Sequence, residues 1–188
     1  MLTIAWDVDD VLNGLTRAWF EKEWLAVHPH CALRYENLKE NPPQRILGVT
    51  LLEYLESLDH FRLSEKYRDM KPVPEVADWF KKYGAGFRHL ALTAVPFKAS
   101  ARSAFWVLDN FGMWIRTFHF IPSQRQGEEL PGPDKNKSDY LAWLNKVDII
   151  IDDNEENIRG AVKLGIRGIL IPRPWNNAKG TVSQALKI

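Results

Sequence analysis

Carboxylates are concentrated directly after the first apolar run of the chain. Asp7, Asp9 and Asp10 follow residues 2–6, Leu-Thr-Ile-Ala-Trp. A short apolar run bounded by acids predicts a buried strand that ends at these carboxylates. Three acids so close together repel one another unless a proton or a cation offsets their charge. Mg²⁺, a hard cation that binds carboxylate oxygens, would supply that charge, so this stretch predicts a metal-dependent site.

Further polar side chains stand at the ends of two later apolar runs. Thr93 ends one predicted strand, Asp152 and Asp153 follow another, and Lys137 opens the helix before the second of these strands. Because the carboxyl ends of parallel strands meet at one edge of an open sheet, we expect these groups to converge. Carboxylates, a hydroxyl and a lysine suit phosphoryl transfer, in which catalysis is mostly positioning and electrostatic stabilisation.

Strands and helices alternate through the second half of the chain. Gly84, Gly112 and Gly165 each follow a helical pattern, as expected for residues that end helices. This alternation predicts an α/β fold with a doubly wound, mostly parallel sheet. The predicted helices are residues 76–83, 100–111, 138–144 and 155–164, and the predicted later strands are residues 89–93, 115–121, 147–151 and 168–171.

The first half departs from this alternation. In a simple βαβ repeat the second strand arrives within about 30 residues. Here residues 15–25 and 51–58 show helical patterns, and no strand is predicted from residue 14 to about residue 70. We therefore expect an α/β core built from residues 1–13 and 71–188, with a helical cap at residues 14–70 inserted after the first strand.

The composition is that of an ordinary globular protein and excludes several other classes. Of its 188 residues, 45% are hydrophobic and 26% charged, and the formal net charge of +1 gives no basic field for a nucleic-acid polymer. No apolar run approaches the length of a membrane span, and the chain opens on a predicted strand without a signal-peptide pattern. Cys31 is the only cysteine, which excludes an internal disulfide and fits a reducing compartment. A cytoplasmic location is expected, and the sequence does not indicate an oligomeric state.

The motifs together resemble those of the haloacid dehalogenase-like phosphohydrolases. The resemblance covers the whole predicted core and leaves residues 14–70 at the position of that family's helical cap. Its motifs here are Asp7-x-Asp9-x-Val11-Leu12, Leu90-x-Leu92-Thr93, a lysine, and Ile149-Ile150-Ile151-Asp152-Asp153.

This resemblance implies a role for each side chain of the site. Asp7 would attack phosphorus and form an aspartyl-phosphate, and Asp9 would protonate the leaving oxygen and then activate water. Thr93, with the adjacent Ala94, would hold the phosphoryl oxygens. Lys137 would bridge the nucleophile and the phosphate.

The implied cofactor is Mg²⁺. Its ligands would be Asp7, the backbone carbonyl of Asp9, and Asp152, with Asp153 as a further ligand or as support for the others. The Asp152-Asp153 pair taken alone would more often cap the following helix, because acids favour helix N-termini.

Two positions leave alternatives open. Lys135 is as available as Lys137, which is preferred because it abuts the helix start at Ser138. Asp10 stands where the related pattern often has a small residue such as glycine. The extra acid would either disturb the metal site or point away into solvent.

The substrate is indicated by shorter resemblances. Residues 71–74, Lys-Pro-Val-Pro, and residues 172–176, Pro-Arg-Pro-Trp-Asn, are similar to segments of 5′(3′)-deoxyribonucleotidases. Trp175, with Arg173 beside it, is the preferred substrate contact because it follows the fifth strand. Aromatic residues of the cap could stack on a base, although aromatics at helical spacing more often form a core. These residues are Trp19, Phe20, Trp24 and Tyr54.

Several functions therefore remain open. The first is a phosphomonoesterase acting on a nucleotide or on another small phosphorylated metabolite. A receiver-type phosphoacceptor uses similar groups, but its acceptor aspartate follows a later strand. A catalytically idle relative that binds a partner through the cap is a third option. Dehalogenation needs no metal, so the acidic set disfavours it.

Overall fold

A single sheet of five parallel strands forms the centre of the molecule. The computed structural model describes all residues from 1 to 188. Its strands are β1 (Thr3–Trp6), β2 (Arg88–Val95), β3 (Ile115–Pro122), β4 (Ile149–Asp152) and β5 (Arg167–Leu170). They lie in the order β3-β2-β1-β4-β5. The predicted α/β class with a parallel sheet is confirmed.

Strand order also separates this fold from the receiver alternative. Receiver and flavodoxin-like domains have the order 2-1-3-4-5. Here β1 pairs in parallel with β2 on one side and with β4 on the other. The receiver alternative is therefore inconsistent with the topology.

Helices fill the connections between the strands. A π-helical segment, Phe20–Trp24, joins the first two helices, Leu15–Trp19 and Leu25–Val27. The predicted helices and strands all form, with ends that differ from the prediction by at most four residues. The helices are α1 (Leu15–Trp19), α2 (Leu25–Val27), α3 (Gln44–Leu47), α4 (Leu51–Arg62), α5 (Glu65–Arg68), α6 (Pro74–Tyr83), α7 (Phe97–Phe111), α8 (Lys137–Leu144), α9 (Glu155–Lys163) and α10 (Val182–Ala185).

Apolar side chains cover both faces of β1. Trp6 lies against Trp79 and Phe80 on one face, with ring centroids 5.2 and 4.7 Å from its own. Ala5 belongs to a second cluster on the other face, together with Ile150. Because successive side chains of a strand point to opposite faces, a strand buried on both faces needs an uninterrupted apolar run. The polar residues then begin where the strand ends.

The segment between β1 and β2 contains helices and no strand. The N-cap residue of its longest helix, α4, is Thr50. The Thr50 hydroxyl accepts from the backbone N–H of Glu53, and the Glu53 carboxylate accepts from the backbone N–H of Thr50. Trp19 packs against Trp24 and Tyr54, at centroid distances of 5.5 and 5.2 Å. These aromatic residues are buried and belong to the apolar core, as aromatics at helical spacing usually do. No helix of the chain has both the length and the apolar character of a transmembrane segment.

Candidate active site

Three strands deliver polar side chains to one edge of the sheet. Asp7 directly follows β1, and its backbone N–H donates to the carbonyl of Ile151 in β4 over 2.9 Å. Asp152 is the last residue of β4, and Thr93 lies in β2 near its carboxyl end. All three are buried, with at most 8% exposure. The convergence expected from the sequence is present in the structure.

Lys137 is the first helical residue of α8, and its ammonium group lies between two of these carboxylates. Its Nζ is 2.8 Å from Oδ1 of Asp7 and 2.7 Å from Oδ2 of Asp152. Burial opposes the charge of Lys137, but the two carboxylates outweigh this effect and raise its pKa. Lys135 is exposed and contacts Asp139 through its backbone N–H. Lys137 is therefore the lysine that reaches the acids.

Asp7, Asp152 and Asp153 form a compact buried group of carboxylates. One oxygen from each can be chosen so that all three lie within 4.8 Å of one another. Burial raises the pKa of Asp7 to about 7, with Asp152 and Asp9 adding repulsion and Lys137 opposing it. Burial, together with repulsion from Asp152 and Asp7, also raises the pKa of Asp153 well above its ordinary value. One lysine does not balance these acids, so the cluster favours binding of a cation.

Hydrogen bonds to neighbouring residues fix the orientation of Asp152 and Asp153. Asp152 accepts from the backbone N–H of Asn154 at 2.8 Å and from the Asn157 amide at 3.1 Å. The indole N–H of Trp175 donates to Oδ2 of Asp153 at 2.8 Å. The cap of α9 is Asn154, whose side chain accepts from the backbone N–H of Glu156, so the helix-capping alternative for the two acids is wrong.

Asp9 lies in the turn after β1 and receives hydrogen bonds from three side chains. Arg62 Nη2 is 2.9 Å from its Oδ2. Its Oδ1 accepts from the amide of Asn13 at 3.2 Å and from the hydroxyl of Tyr67 at 3.4 Å. Two of the three donors come from the helical segment that precedes β2. Asp9 is therefore held jointly by the core and by this segment.

A cavity of about 140 Å³ opens between these groups. Its lining includes the three aspartates that follow β1, together with Thr93 and Lys137. Oγ1 of Thr93 is buried and has no hydrogen-bond partner in the protein. Because buried hydroxyls are normally paired, this one is suited to a ligand oxygen. Ala94 is exposed at the rim, and a groove of about 690 Å³ continues from Ala94, Lys137 and Asn157.

Several solved structures that share this architecture are described as haloacid dehalogenase-like proteins. One such protein, SP0104 from Streptococcus pneumoniae, is 11% identical, with a TM-score of 0.63 over 99% of this chain and 91% of its own. A Thermotoga maritima protein assigned as a β-phosphoglucomutase is 20% identical, with a TM-score of 0.61 over 99% and 97% of the two chains. This chain has the haloacid dehalogenase-like fold.

A third neighbour with this fold was solved with ligands. It is a hydrolase from Deinococcus radiodurans with bound phosphate and sodium, and it is 15% identical, with a TM-score of 0.57 over 98% of this chain and 87% of its own. No protein-family model and no curated protein matches the sequence. The similarity to haloacid dehalogenase-like proteins is therefore one of fold.

Asp10, the departure from the haloacid dehalogenase-like motif, is neither part of the carboxylate cluster of Asp7, Asp152 and Asp153 nor in solvent. It is 4% exposed, and its φ of 62° turns the chain after β1. Its carboxylate accepts from the backbone N–H of Thr16 at 2.9 Å and from the Thr16 hydroxyl at 2.5 Å. Its backbone carbonyl accepts from Arg173 Nε at 2.7 Å. Asp10 thus ties the turn to α1 and to the loop after β5.

Trp175 and two unpredicted residues complete the surroundings of the acids. Trp175 contacts Asp153, and its ring packs edge-on against Tyr35 at 6.1 Å, so its position is beside the carboxylate cluster. Arg62 and Tyr67 were not singled out in the sequence. They lie in α4 and α5, where a charged or aromatic residue carries no motif signal. Only their contact with Asp9 identifies them.

Proposed function

We propose that this chain is a Mg²⁺-dependent phosphomonoesterase that works through an aspartyl-phosphate on Asp7. The observation that carries the proposal is the buried junction of Asp7, Lys137 and Asp152. Lys137 and the backbone N–H of Val8 both bind Oδ1 of Asp7. Oδ2 receives no hydrogen bond from the protein, so it is the oxygen available for attack.

The carboxylate cluster fits Mg²⁺. Asp7, Asp152 and Asp153 offer hard oxygen ligands, and the raised pKa values of Asp7 and Asp153 reflect burial and mutual repulsion that a divalent ion would relieve. The backbone carbonyl of Asp9 is the further proposed ligand. When bound, Mg²⁺ acts as a Lewis acid on the phosphoryl group.

Phosphoryl transfer to the protein is the first half of the proposed reaction. A carboxylate oxygen of Asp7 forms a bond to phosphorus while the bond from phosphorus to the ester oxygen breaks. Asp9 gives its proton to that leaving oxygen. The Thr93 hydroxyl donates to a phosphoryl oxygen, and the charge of Lys137 stabilises the negative charge in the transition state.

Hydrolysis of the acyl phosphate is the second half. Asp9, now a carboxylate, takes a proton from a water molecule as the water oxygen bonds to phosphorus. The bond from phosphorus to Asp7 breaks, which releases inorganic phosphate and restores the free carboxylate. The same side chain serves as acid and then as base, so the proton balance closes over one turnover.

Residues 14–70 are proposed as the cap over this site. Tyr54, Leu58 and Arg62 of this segment line the same cavity as the acids. We propose that the phosphoryl group lies in the cavity of about 140 Å³, and the adjoining groove of about 690 Å³ falls in the range of small-molecule sites. We propose that the leaving group lies in this groove.

Nucleoside monophosphates are the proposed substrate class, and another small phosphorylated metabolite is the alternative. Support for a 5′-nucleotidase comes from the resemblance of residues 71–74 and 172–176 to deoxyribonucleotidase segments. The bound phosphate of the Deinococcus radiodurans neighbour supports the broader proposal of a phosphate site in this fold. The single cysteine, Cys31, supports the proposed cytoplasmic location.

The test is phosphate release from a panel of nucleotide, sugar and aryl phosphates, with and without Mg²⁺. Wild type and Asp7→Asn are assayed in parallel. Metal-dependent release by wild type alone is the expected result, and the pattern across the panel tests the nucleotide proposal. Absence of release from every ester by a well-folded protein would overturn the proposal in favour of an idle relative. In that case binding of a partner would have to explain the site.

A further inference from the structure

Arg62 lies between two buried carboxylates. Its Nη2 is 2.9 Å from Oδ2 of Asp9, and its Nη1 is 3.3 Å from Oδ1 of Asp59. Arg62 is only 7% exposed, and it is the last residue of helix α4. A planar guanidinium presents its donors in a fixed arrangement. The position of the Asp59 carboxylate therefore helps to set the position of the Asp9 carboxylate.

Asp59 is itself fixed to the α/β core. Arg125, in the loop after β3, donates from Nε to Oδ2 at 2.7 Å and from Nη2 to Oδ1 at 2.8 Å. Nζ of Lys98 in α7 lies 3.4 Å from Oδ2 of Asp59 and adds a third cation beside Arg62 and Arg125. The Asp59 side chain is 2% exposed, so these contacts are poorly screened by solvent. A continuous set of charged contacts thus runs from the core, through α4, to Asp9.

Within the core, few side chains hold the Asp9 carboxylate itself. Asp9 and Asp10 both have non-helical dihedral angles within the turn Val8–Leu12. Asn13 is the only core side chain that donates to the Asp9 carboxylate, and it does so over 3.2 Å. The shorter contact comes from Arg62. The orientation of Asp9 therefore depends on the helical segment.

We propose that Arg62 is a positioning residue that orients Asp9 for proton transfer, and that Asp59 and Arg125 hold Arg62 in place. This inference rests on the proposed phosphomonoesterase activity. It assigns the helical segment a part in proton transfer to the leaving group in addition to covering the site. A general acid must be within hydrogen-bond reach of the leaving oxygen, and a displacement of about 1 Å costs on the order of 10²-fold in rate.

The dependence on the leaving group separates positioning from a merely structural role. Ester oxygens of alkyl phosphates need a proton on departure, whereas p-nitrophenolate leaves without one. The value of kcat/KM reports only on steps up to departure of the leaving group, so it excludes the later hydrolysis step in which Asp9 is the proposed base for both esters. Arg62→Gln is expected to lower kcat/KM for an alkyl phosphate by about 10²-fold and kcat/KM for p-nitrophenyl phosphate by about 10-fold or less. Arg62→Lys keeps the positive charge but lacks the planar set of donors of a guanidinium. It is expected to give a smaller difference between the losses on the two esters.

Arg68→Gln is the matched control, because Arg68 is an exposed arginine of the same segment that pairs with its neighbours Glu65 and Asp69. It is expected to leave both rates unchanged. If Arg62→Gln does not fold, Arg62→Lys provides the comparison. Equal losses of kcat/KM on both esters would overturn the positioning role while leaving the phosphomonoesterase proposal intact. If wild type hydrolyses neither ester nor any other in the panel, both proposals are wrong.

Discussion

The indole nitrogen of Trp175 donates a hydrogen bond of 2.8 Å to Oδ2 of Asp153. This bond links the loop after β5 to the carboxylate cluster that is proposed to bind Mg²⁺. Hydrogen-bond partners of metal ligands orient those ligands, and their loss typically weakens metal binding by about 10- to 100-fold. We therefore expect Trp175 to act on the site through Asp153.

Trp175→Phe is expected to raise the Mg²⁺ concentration for half-maximal activity by about 10-fold or more. Phenylalanine keeps an aromatic ring near Tyr35 but has no N–H donor for Asp153. A titration of phosphate release with MgCl₂ measures the shift, and Trp143→Phe, at a 75% exposed tryptophan, is the control. An unchanged Mg²⁺ dependence in Trp175→Phe would show that the bond does not support a metal ligand.

Asp7→Asn is expected to abolish phosphate release without destabilising the metal-free protein. The pKa of Asp7 is raised by burial from its ordinary value of 3.8 to about 7. A raised pKa means that the folded state binds this proton more tightly than the unfolded chain, so stability falls as the pH rises from about 4 to about 7. Above that range the ionised carboxylate is unfavourable, and an uncharged asparagine of similar volume avoids this cost.

Two measurements on Asp7→Asn check this prediction: thermal unfolding at pH 8 in the presence of EDTA, and phosphate release in the presence of Mg²⁺. The melting temperature of Asp7→Asn should equal or exceed that of wild type. Phosphate release, measured separately with Mg²⁺, should be undetectable. Turnover close to the wild-type rate would show that another group is the nucleophile.

Asp152→Ala is expected to remove the stabilisation that Mg²⁺ gives to the folded protein. A ligand at 100 times its Kd stabilises the fold by about 2.7 kcal/mol, which appears as a rise in melting temperature. Asp152 is fully buried beside Lys137, so its loss also changes the metal-free protein. The difference in melting temperature with and without Mg²⁺ is therefore the quantity to compare. Asp109→Ala, at an exposed acid of α7, is expected to keep the wild-type difference.

The acids and the sheet were predictable from the sequence because their signals are local. An apolar run that ends in Asp7 or Asp152 specifies both the strand and the edge at which the carboxylate emerges. Arg62 was not predictable, because it contacts Asp9 across 53 positions of sequence. That contact depends on how α4 docks on the core, and docking is set by packing of the whole helical segment.

The assignments of Lys137 and Trp175 show the same difference between local sequence signals and contacts that depend on tertiary packing. Lys137 was preferred over Lys135 because it adjoins the start of a helix, and the structure gives the physical reason: the first turn of α8 faces Asp7 and Asp152. Trp175 was singled out for its position after the fifth strand. Its partner, Asp153, could not be read from the sequence because the hydrogen bond depends on how the loop after β5 folds back.

Asp59 is expected to contribute a pH-dependent part of the stability. Burial opposes its ionisation, but Arg125, Arg62 and Lys98 outweigh this effect and hold its pKa below the ordinary value of 3.8. A lowered pKa contributes stability that is present above the unfolded value and is lost as the pH falls through the folded value. The contribution should therefore be complete at pH 7 and decline below about pH 4.

Asp59→Asn removes the charge that these cations share, and breaking a buried ion pair in this way typically costs about 3–5 kcal/mol. At pH 7 the variant should unfold at a lower urea concentration than wild type, and the difference should shrink as the pH is lowered from 5 to 3. Asp78→Asn, at an exposed ion pair with Lys81, should show almost no difference at either pH. If the difference in unfolding urea concentration between Asp59→Asn and wild type stayed constant with pH, the contribution of Asp59 to stability would come from packing and not from charge. The link from Arg125 through Asp59 to Arg62 would then not be electrostatic.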